Sequence, residues 1–302
     1  MPEATQQLPK RLFKLTVVLC TYNEGLAILA ALRSLRMNNI YPDVEIIIVD
    51  DCSQDPLTLR VLHLLKTFGH LKIIFSARNM GLSHSRNEGF NNAQSDYIVP
   101  LDGDDTLPPA TLDSIYSEFI NNPSADFIYG NYEIYDLLSG SSININCKYL
   151  CRDGKLSQLQ LANNWQLLGT SPCKKCTWQN VGGYAMKYSY SVQDVDFWIR
   201  VLASGANGRY LDKTIYKWNR SSLGMNASFD RLDMINLLED HSEFYQAVYS
   251  EKEIQNRIFE GHYPYKKGDI ILPIIRKSFF RVTIKNKLRM LRFLLNQTFV
   301  KG

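Results

Sequence analysis

The chain has 302 residues, with 34 Lys or Arg against 30 Asp or Glu and 45% hydrophobic residues. That apolar fraction supplies a full core and excludes a disordered or low-complexity chain, and the length fits one α/β domain with an extension. No apolar run reaches the roughly 18 residues of a membrane span, and the polar start MPEATQQLPKRLFK is unlike a secretory leader. Leu15 to Cys20 (LTVVLC) is short, apolar and β-branched, as a buried strand requires. Thr21-Tyr22-Asn23-Glu24-Gly25 follows as a polar turn, and Leu26 to Leu35 carries apolar residues at helical spacing. Glu45 to Val49 reads as a second strand, broken by Asp50-Asp51-Cys52-Ser53; Ser53 or Asp55 would cap the next helix, which runs through Leu65. Leu71 to Phe75 and Tyr97 to Leu101 read as the third and fourth strands, with Ser83 to Ala93 as the helix between them.

Continuous apolar strands separated by helices point to a mostly parallel central sheet covered on both faces. In such sheets ligands bind beyond the carboxyl ends of the strands. The polar residues cluster at those ends: Thr21 and Tyr22, then Asp50 and Asp51, then Asp102 to Asp105. Taken alone, Asp50-Asp51 also fits a turn with a helix cap. Asp102-Gly103-Asp104-Asp105 is less easily explained so, because three carboxylates within four residues repel one another unless solvent or a cation relieves them. A hard divalent ion takes carboxylate oxygens and leaves room for phosphates. With no Gly-rich phosphate loop present, a metal is the expected partner of a diphosphate.

Four segments in order resemble family 2, the inverting glycosyltransferases of the GT-A fold: VVLCTYNE from Val17 to Glu24, IVDDCS from Ile48 to Ser53, NMGLSHSRNEG from Asn79 to Gly89, and LDGDD from Leu101 to Asp105. The resemblance extends, with decreasing strength, from about Thr16 to Asn226. It implies an α/β GT-A fold, a mostly parallel central sheet flanked by helices. It also implies roles for individual residues. Tyr22 would pack on the nucleobase with Thr21 and Glu24 nearby, and Asp51 would accept from the imide nitrogen of uracil, which favours a UDP-sugar donor. Arg86 would face the nucleotide or its phosphates. The DxD motif would place Asp104 on Mn2+ or Mg2+, with Asp102 close to the ribose or the ion and Asp105 as a second candidate ligand.

Further on, Gly182-Gly183-Tyr184 and Gln193-Asp194-Val195-Asp196-Phe197-Trp198 resemble the family's later pattern, a glycine pair before an acidic residue at a helix start. Asp194 matches the general base, with Asp196 as the runner-up. A sugar hydroxyl is a poor nucleophile, so a carboxylate must take its proton as it attacks. The bland alternative is that Asp194 only caps its helix. Asn219 stands where the family often carries a His that helps hold the metal or diphosphate; its amide oxygen, or Lys217 or Arg220 beside it, could take part, or the segment is a solvated loop.

The expected organisation is a GT-A domain over residues 1–225, with a nucleotide-binding half to about 105 and an acceptor-binding half over 106–225, then a helical C-terminal extension over 226–302. Asn226 to Glu260 reads as helical. From Ile270 to Gly302 there are eight Lys or Arg and no Asp or Glu. In this tail Ile284, Leu288, Leu291 and Leu295 repeat at helical spacing, with Lys285, Arg289 and Arg292 each one residue after an apolar position; Phe279 and Phe280 could anchor it. An apolar stripe beside a basic one suits a helix lying on an anionic membrane surface, although a helix packed on the body would also fit. A nucleic-acid partner is not expected, because no recognised motif accompanies the charge. Cys147, Cys151, Cys173 and Cys176 have spacings that a zinc site can use, but reduced thiols suit a cytoplasmic chain better.

The resulting expectation is an inverting transferase. It moves sugar from a nucleotide-diphosphate donor to a hydroxyl of a glycan or lipid-linked acceptor, peripherally at the cytoplasmic face of a membrane. A nucleotidyltransferase of related fold would show a basic Gly-rich loop where this chain has Thr21 to Gly25. A catalytically silent sugar-nucleotide-binding module is opposed by the intact set Asp51, Asp102, Asp104 and Asp194.

Overall fold

In the computed structural model, the apolar run after Lys14 forms β1 (Leu15–Thr21), buried over its whole length, and the helical pattern after the polar turn forms α1 (Ala27–Leu35). The structure describes residues 12–152, 155–163, 165–221, 231–262 and 282–299. The chain continues through β2 (Val44–Asp50), α2 (Pro56–Lys66), β3 (Lys72–Phe75), α3 (Leu82–Asn92) and β4 (Tyr97–Asp102). These elements match the expected alternation to within about two residues, the usual uncertainty of helix and strand ends. Asp55, rather than Ser53, caps α2: its carboxylate accepts from the Thr58 backbone N–H at 2.7 Å, and Pro56 occupies the first helical position, where its missing N–H costs nothing.

The second half adds α4 (Thr111–Asn121), β5 (Phe127–Asp136), β6 (Ser142–Ile145), the β7 (Cys151–Arg152) and β8 (Lys155–Leu156) pair, α5 (Gln158–Asn163), β9 (Cys173–Lys174), α6 (Lys175–Asn180), α7 (Gln193–Ala203) and β10 (Gly208–Arg220). The main sheet has eight strands in the order β10-β5-β9-β4-β1-β2-β3, with β6 paired to β5. β1, β2, β3 and β4 are parallel, and β10 runs parallel to β5 with register shifts between Leu211 and Tyr216. Two-residue β9 is antiparallel to both β4 and β5 and joins the halves. The mainly parallel α/β architecture expected from the sequence is therefore present.

The register aligns the strand ends that matter. Cys20 pairs with Asp102 and Thr21 with Asp50, so three polar strand termini lie at one level of the sheet. Beneath them a continuous core runs from Leu15 on β1 through Phe127 and Tyr129 on β5 to Phe197 and Trp198 on α7. Phe197 stacks on Tyr184 with ring centroids 4.2 Å apart, and Trp198 lies 4.8 Å from Phe127. These aromatic contacts fix the start of α7 against the sheet.

After β10 come α8 (Arg231–Asp240), α9 (Ser242–Tyr245), α10 (Glu251–His262) and α11 (Ile284–Phe299), over the residues expected as an extension, with Leu237 and Phe244 packed into the main core. Ile235, Ile254, Ile258, Phe259, Val282 and Met290 form a second, smaller apolar cluster there. Polar contacts tie the extension to the body. His241 Nε2 meets Asp196 Oδ1 at 2.9 Å, and Asp240 accepts from the Tyr188 hydroxyl at 2.7 Å and pairs with Lys187. On α11, Asn286 and Met290 face inward, and Asn286 donates to Asn256 Oδ1 at 2.8 Å. The expected apolar stripe faces outward: Ile284 is 77% exposed, Leu288 62% and Leu291 45%. Phe279, Phe280, residues 226–230 and the side chains of Arg292 and Leu295 lie outside the described residues. Among the described residues no helix is long and apolar enough to cross a membrane.

One close approach makes a sharp test of this packing. A Cβ at Gly89 of α3 would collide with Val18 of β1. Alanine at a helix interior ordinarily stabilises by about 0.5–1 kcal/mol over glycine. Here the sign should reverse. Gly89→Ala is expected to lower the unfolding free energy by about 1–3 kcal/mol, the cost of overpacking, as read from urea denaturation.

Candidate active site

The site is built from loops that leave the carboxyl ends of β1, β2 and β4 and from the start of α7. The first loop is shaped by Asn23, held at φ 60°, in the left-handed region where Asn is among the few side chains tolerated. Its side-chain carbonyl accepts from the Gln54 and Asp55 amides at 2.7 and 2.9 Å, and its own N–H donates to Ser53 Oγ at 2.9 Å. Ser53 in turn donates to Asp50. The loops after β1 and β2 are thereby latched together, and Tyr22 is left 44% exposed at the rim.

Asp51 is buried, and both of its oxygens accept backbone N–H groups, from Met80 at 2.9 Å and Gly81 at 2.7 Å. Burial nevertheless pushes its carboxyl above the usual range, with these two bonds acting against the rise. The same loop is gripped from the other side. Ser189 Oγ donates to the Met80 carbonyl at 2.8 Å, and a Cβ at Gly81, which has φ +81°, would collide with Ser189. Only glycine fits that position.

The acidic run after β4 divides into separate roles. Asp105 is 3% exposed, and its oxygens accept from the Tyr216 hydroxyl and the Asn219 amide, both at 2.7 Å. Asn219 also donates its side-chain N–H to the Asp104 carbonyl at 2.8 Å. Asp105 and Asn219 therefore shape the loop from below, tying it to the end of β10, while Asp102 and Asp104 stay partly exposed. Burial, reinforced by the Asp102 charge, pushes the Asp104 carboxyl up to about 6. Glu24 is raised well above its ordinary range by burial and then by Asp104; its Oε2 is buried without a hydrogen-bond partner, and a Cβ at Gly103 would collide with it. The buried Thr21 hydroxyl beside it acts against the rise.

Arg86 lies behind this cluster rather than in the open cleft. It is 2% exposed; one terminal nitrogen donates to Asp102 at 3.0 and 3.2 Å and the other to Gln193 Oε1 at 3.0 Å, and its guanidinium sits 5.3 Å from the centre of the Tyr184 ring. Gln193 begins α7 and the next residue is Asp194, so one buried cation connects the end of β4 to the start of the helix that carries that carboxylate. Burial raises the Asp194 carboxyl, and Arg86 limits the rise. A Cβ at Gly169 would overlap the Asp194 side chain, and the Trp198 indole N–H holds the Gly169 carbonyl at 3.0 Å. Val192 is the N-cap of α7, and Asp194 lies in the first turn, where its carboxylate also accepts the backbone N–H groups of Val195 and of Asp194 itself.

Asp196 has a different fate. It faces away, paired with Arg200 at 2.6 Å and His241 at 2.9 Å. Burial would raise its carboxyl, but the His241 and Arg200 contacts hold it below the usual range. It is therefore a structural anchor. The six cysteines are free thiols, Cys147 and Cys173 buried and Cys176 exposed. Among the described residues no three His, Cys, Asp or Glu side chains converge as a ready-made metal cage.

The structure thus brings together Thr21, Tyr22, Glu24, Asp51, Asp102 and Asp104 at one edge, with Asp194 next in the chain to Gln193, which Arg86 ties to Asp102. Sequence reading did not single out Asn23, Gly169, Ser189 or Tyr216. Asn23 alone carried a signal, as an Asn in a tight turn after a strand.

The profile of "Glycosyl transferase family 2" matches residues 16–165. A cholesterol galactosyltransferase of Borreliella burgdorferi is 31% identical over 138 residues, 46% of this chain but only 37% of that relative's length. An Escherichia coli UDP-Gal:alpha-D-GlcNAc-diphosphoundecaprenol beta-1,3-galactosyltransferase is 24% identical over 272 residues, covering 87% of this chain and 97% of that one. The crystal structure of Staphylococcus aureus TarS 1–349 in complex with UDP-GlcNAc superposes with a TM-score of 0.63 at 18% identity, over 93% of this chain and 80% of that one. At that identity the likeness speaks for the fold, which is GT-A. Profile, relatives and fold agree: the chain belongs to glycosyl transferase family 2.

Proposed function

We propose that this chain transfers a sugar, with inversion, from a UDP-sugar to a hydroxyl of a glycan or lipid-linked acceptor. The observation that carries the reading is the Asp102–Arg86–Gln193 connection, which holds a raised carboxylate, Asp194, in fixed relation to the acidic edge of the sheet. The E. coli relative, by its name, takes UDP-Gal and a diphosphoundecaprenol-linked acceptor, and this chain spans nearly all of its length.

In this reading the uracil enters beside Asp51, with Tyr22 packing on its face and Thr21 and Glu24 lining the entry. Asp194 takes the proton of the acceptor hydroxyl as that oxygen bonds to the anomeric carbon. The bond from that carbon to the diphosphate oxygen breaks on the opposite side, and UDP departs. A raised carboxyl suits a base that must accept a proton near neutral pH. The orphaned Glu24 oxygen and the crowded carboxylates fit a hard cation, which Asp104 and Asp102 would hold with the donor's own phosphate oxygens completing the shell. When bound, Mn2+ or Mg2+ would offset charge on the diphosphate. Asp105 and Asn219 hold the loop, and Arg86 keeps Asp102 oriented.

Peripheral attachment at the cytoplasmic face of a membrane is part of the same proposal. Its support is the outward apolar stripe of α11 with the exposed Lys285 beside it.

In calorimetric titrations, UDP is expected to bind more tightly than GDP or dTDP, and to need Mn2+ for full affinity. Asp194→Asn should lower turnover by about 10²–10⁴-fold while UDP affinity stays within about twofold; parallel loss of binding and turnover would remove the base assignment. Asp104→Asn should raise the melting temperature of the metal-free chain by about 1–2 °C, as expected for roughly 1 kcal/mol of relieved repulsion in a chain of this length, and should abolish any rise on adding Mn2+. For the tail, Ile284→Ser with Leu288→Ser should weaken binding to anionic vesicles; co-sedimentation equal to that of the unaltered chain would refute this contact.

A further inference from the structure

The outer faces of α1 and α2 carry a pattern that the transfer chemistry does not use. The crossovers β1–α1–β2 and β2–α2–β3 advance in the same direction along the sheet. Right-handed crossovers that advance the same way place their helices on one face, so α1 and α2 lie side by side. Their N-terminal ends touch: the Gly25 N–H donates to Thr58 Oγ1 at 2.8 Å, and a Cβ at Gly25 would meet Leu57 at 3.4 Å.

Each helix buries one face in the core and exposes an apolar-basic stripe on the other. On α1 and its flanks, the exposed positions at matching helical spacing are Leu26, Leu29, Arg33 and Met37. On α2 they are Leu57, Arg60, Leu64 and Phe68. Leu26 is 58% exposed, Leu64 61% and Phe68 49%, so these side chains are not core residues seen at their edges. Arg36 and Lys66 are exposed on the same two helices. No Asp or Glu occurs from Leu26 to Pro42 or from Pro56 to Leu71. Among the described residues Arg33, Arg36 and Arg60 pair with no carboxylate. The nearest acidic group on α4, Asp113, is turned onto the Asn39 and Ile40 amides.

Six exposed apolar side chains on two neighbouring helices, Leu26, Leu29, Met37, Leu57, Leu64 and Phe68, offer an interaction surface, and the cations among them select the partner. A second copy meeting the first across a two-fold axis would set unpaired arginines against their own kind. A nucleic acid would satisfy the cations but leave the leucines in water. An anionic lipid bilayer satisfies both, with leucines at the acyl boundary and guanidinium groups among the phosphates. We propose that the α1–α2 face is a docking surface for an anionic lipid bilayer, separate from the α11 stripe. Because Leu26 and Leu57 abut the loops carrying Tyr22, Asn23 and Asp55, docking sets the rim of the cleft at the lipid. The surface stands without the sugar-transfer reading; only its value for reaching a lipid-linked acceptor rests on that reading.

The test is co-sedimentation of the full chain with phosphatidylcholine vesicles containing about 30% phosphatidylglycerol, a strongly anionic surface. Arg33→Gln with Arg60→Gln should weaken partitioning about thirtyfold, on roughly 1 kcal/mol per cation near the surface. Leu29→Ser with Leu64→Ser should weaken it at least about tenfold. Neither pair touches the site, so UDP affinity and the melting temperature should stay close to those of the unaltered chain. That separates failure of this surface from failure of the donor site. No vesicle binding by the unaltered chain overturns the proposal. So does full binding by both α1–α2 variants with loss only in the Ile284→Ser/Leu288→Ser variant, which would assign all contact to α11. Self-association in ultracentrifugation that the same variants abolish, with vesicle binding kept, would assign the face to a second copy instead.

Discussion

Arg86 is the group on which the rest of the site depends. A guanidinium that is 2% exposed has lost its water and must be repaid by fixed partners. Asp102 supplies the charge and Gln193 the neutral acceptor, and they come from the end of β4 and the start of α7. A planar, always charged fork can satisfy both at once, which a lysine ammonium cannot do with the same geometry. The acidic edge of the sheet and the start of the helix that carries Asp194 are thus parts of one hydrogen-bonded unit. A shift of α7 would leave a buried cation underpartnered, a penalty large enough to keep Asp194 in place.

Around that cation the chain accepts electrostatic cost. Glu24, Asp104 and Asp105 are all raised by burial and by neighbouring carboxylates, Asp102 among them in each case, an arrangement a purely structural loop would avoid. Tyr216 and Asn219 hold Asp105 from below, so the repulsion cannot relax by swinging that side chain into solvent. Asn23 and Cys52, at φ 60° and 63°, add local backbone strain at the neighbouring strand ends. Preorganisation of this kind is what positions groups for chemistry, at some loss of stability.

Asp194 and Asp196 show how position on one short helix separates two identical side chains. Asp194 lies on the sheet side, where burial raises it and Gly169 makes room for it. Asp196 turns toward the extension, where His241 and Arg200 hold it ionised. Environment, not residue type, separates them: one is a raised carboxyl, the proposed base, and the other is an ion-paired carboxylate that fastens α7 to His241.

The local content of the sequence determined a great deal. Uninterrupted apolar runs, turn residues and the order of four motifs settled the parallel half of the sheet, the family, and the cluster of polar residues at the strand ends. This worked because burial on both faces leaves a continuous apolar signature, and because ligand-binding residues must sit in the loops immediately after such strands. Tertiary structure alone decided how those residues divide the work. Nothing local distinguishes Asp105 from Asp104, or Asp196 from Asp194; the difference lies in Tyr216 and Asn219, and in Arg200 and His241, most of them distant in the chain. The same holds for Arg86, whose burial depends on Gln193, and for the outward turn of the α11 stripe, which follows from Asn286 and Met290 docking the opposite side. Bulged β10 was hidden too, because register shifts leave no periodicity to read.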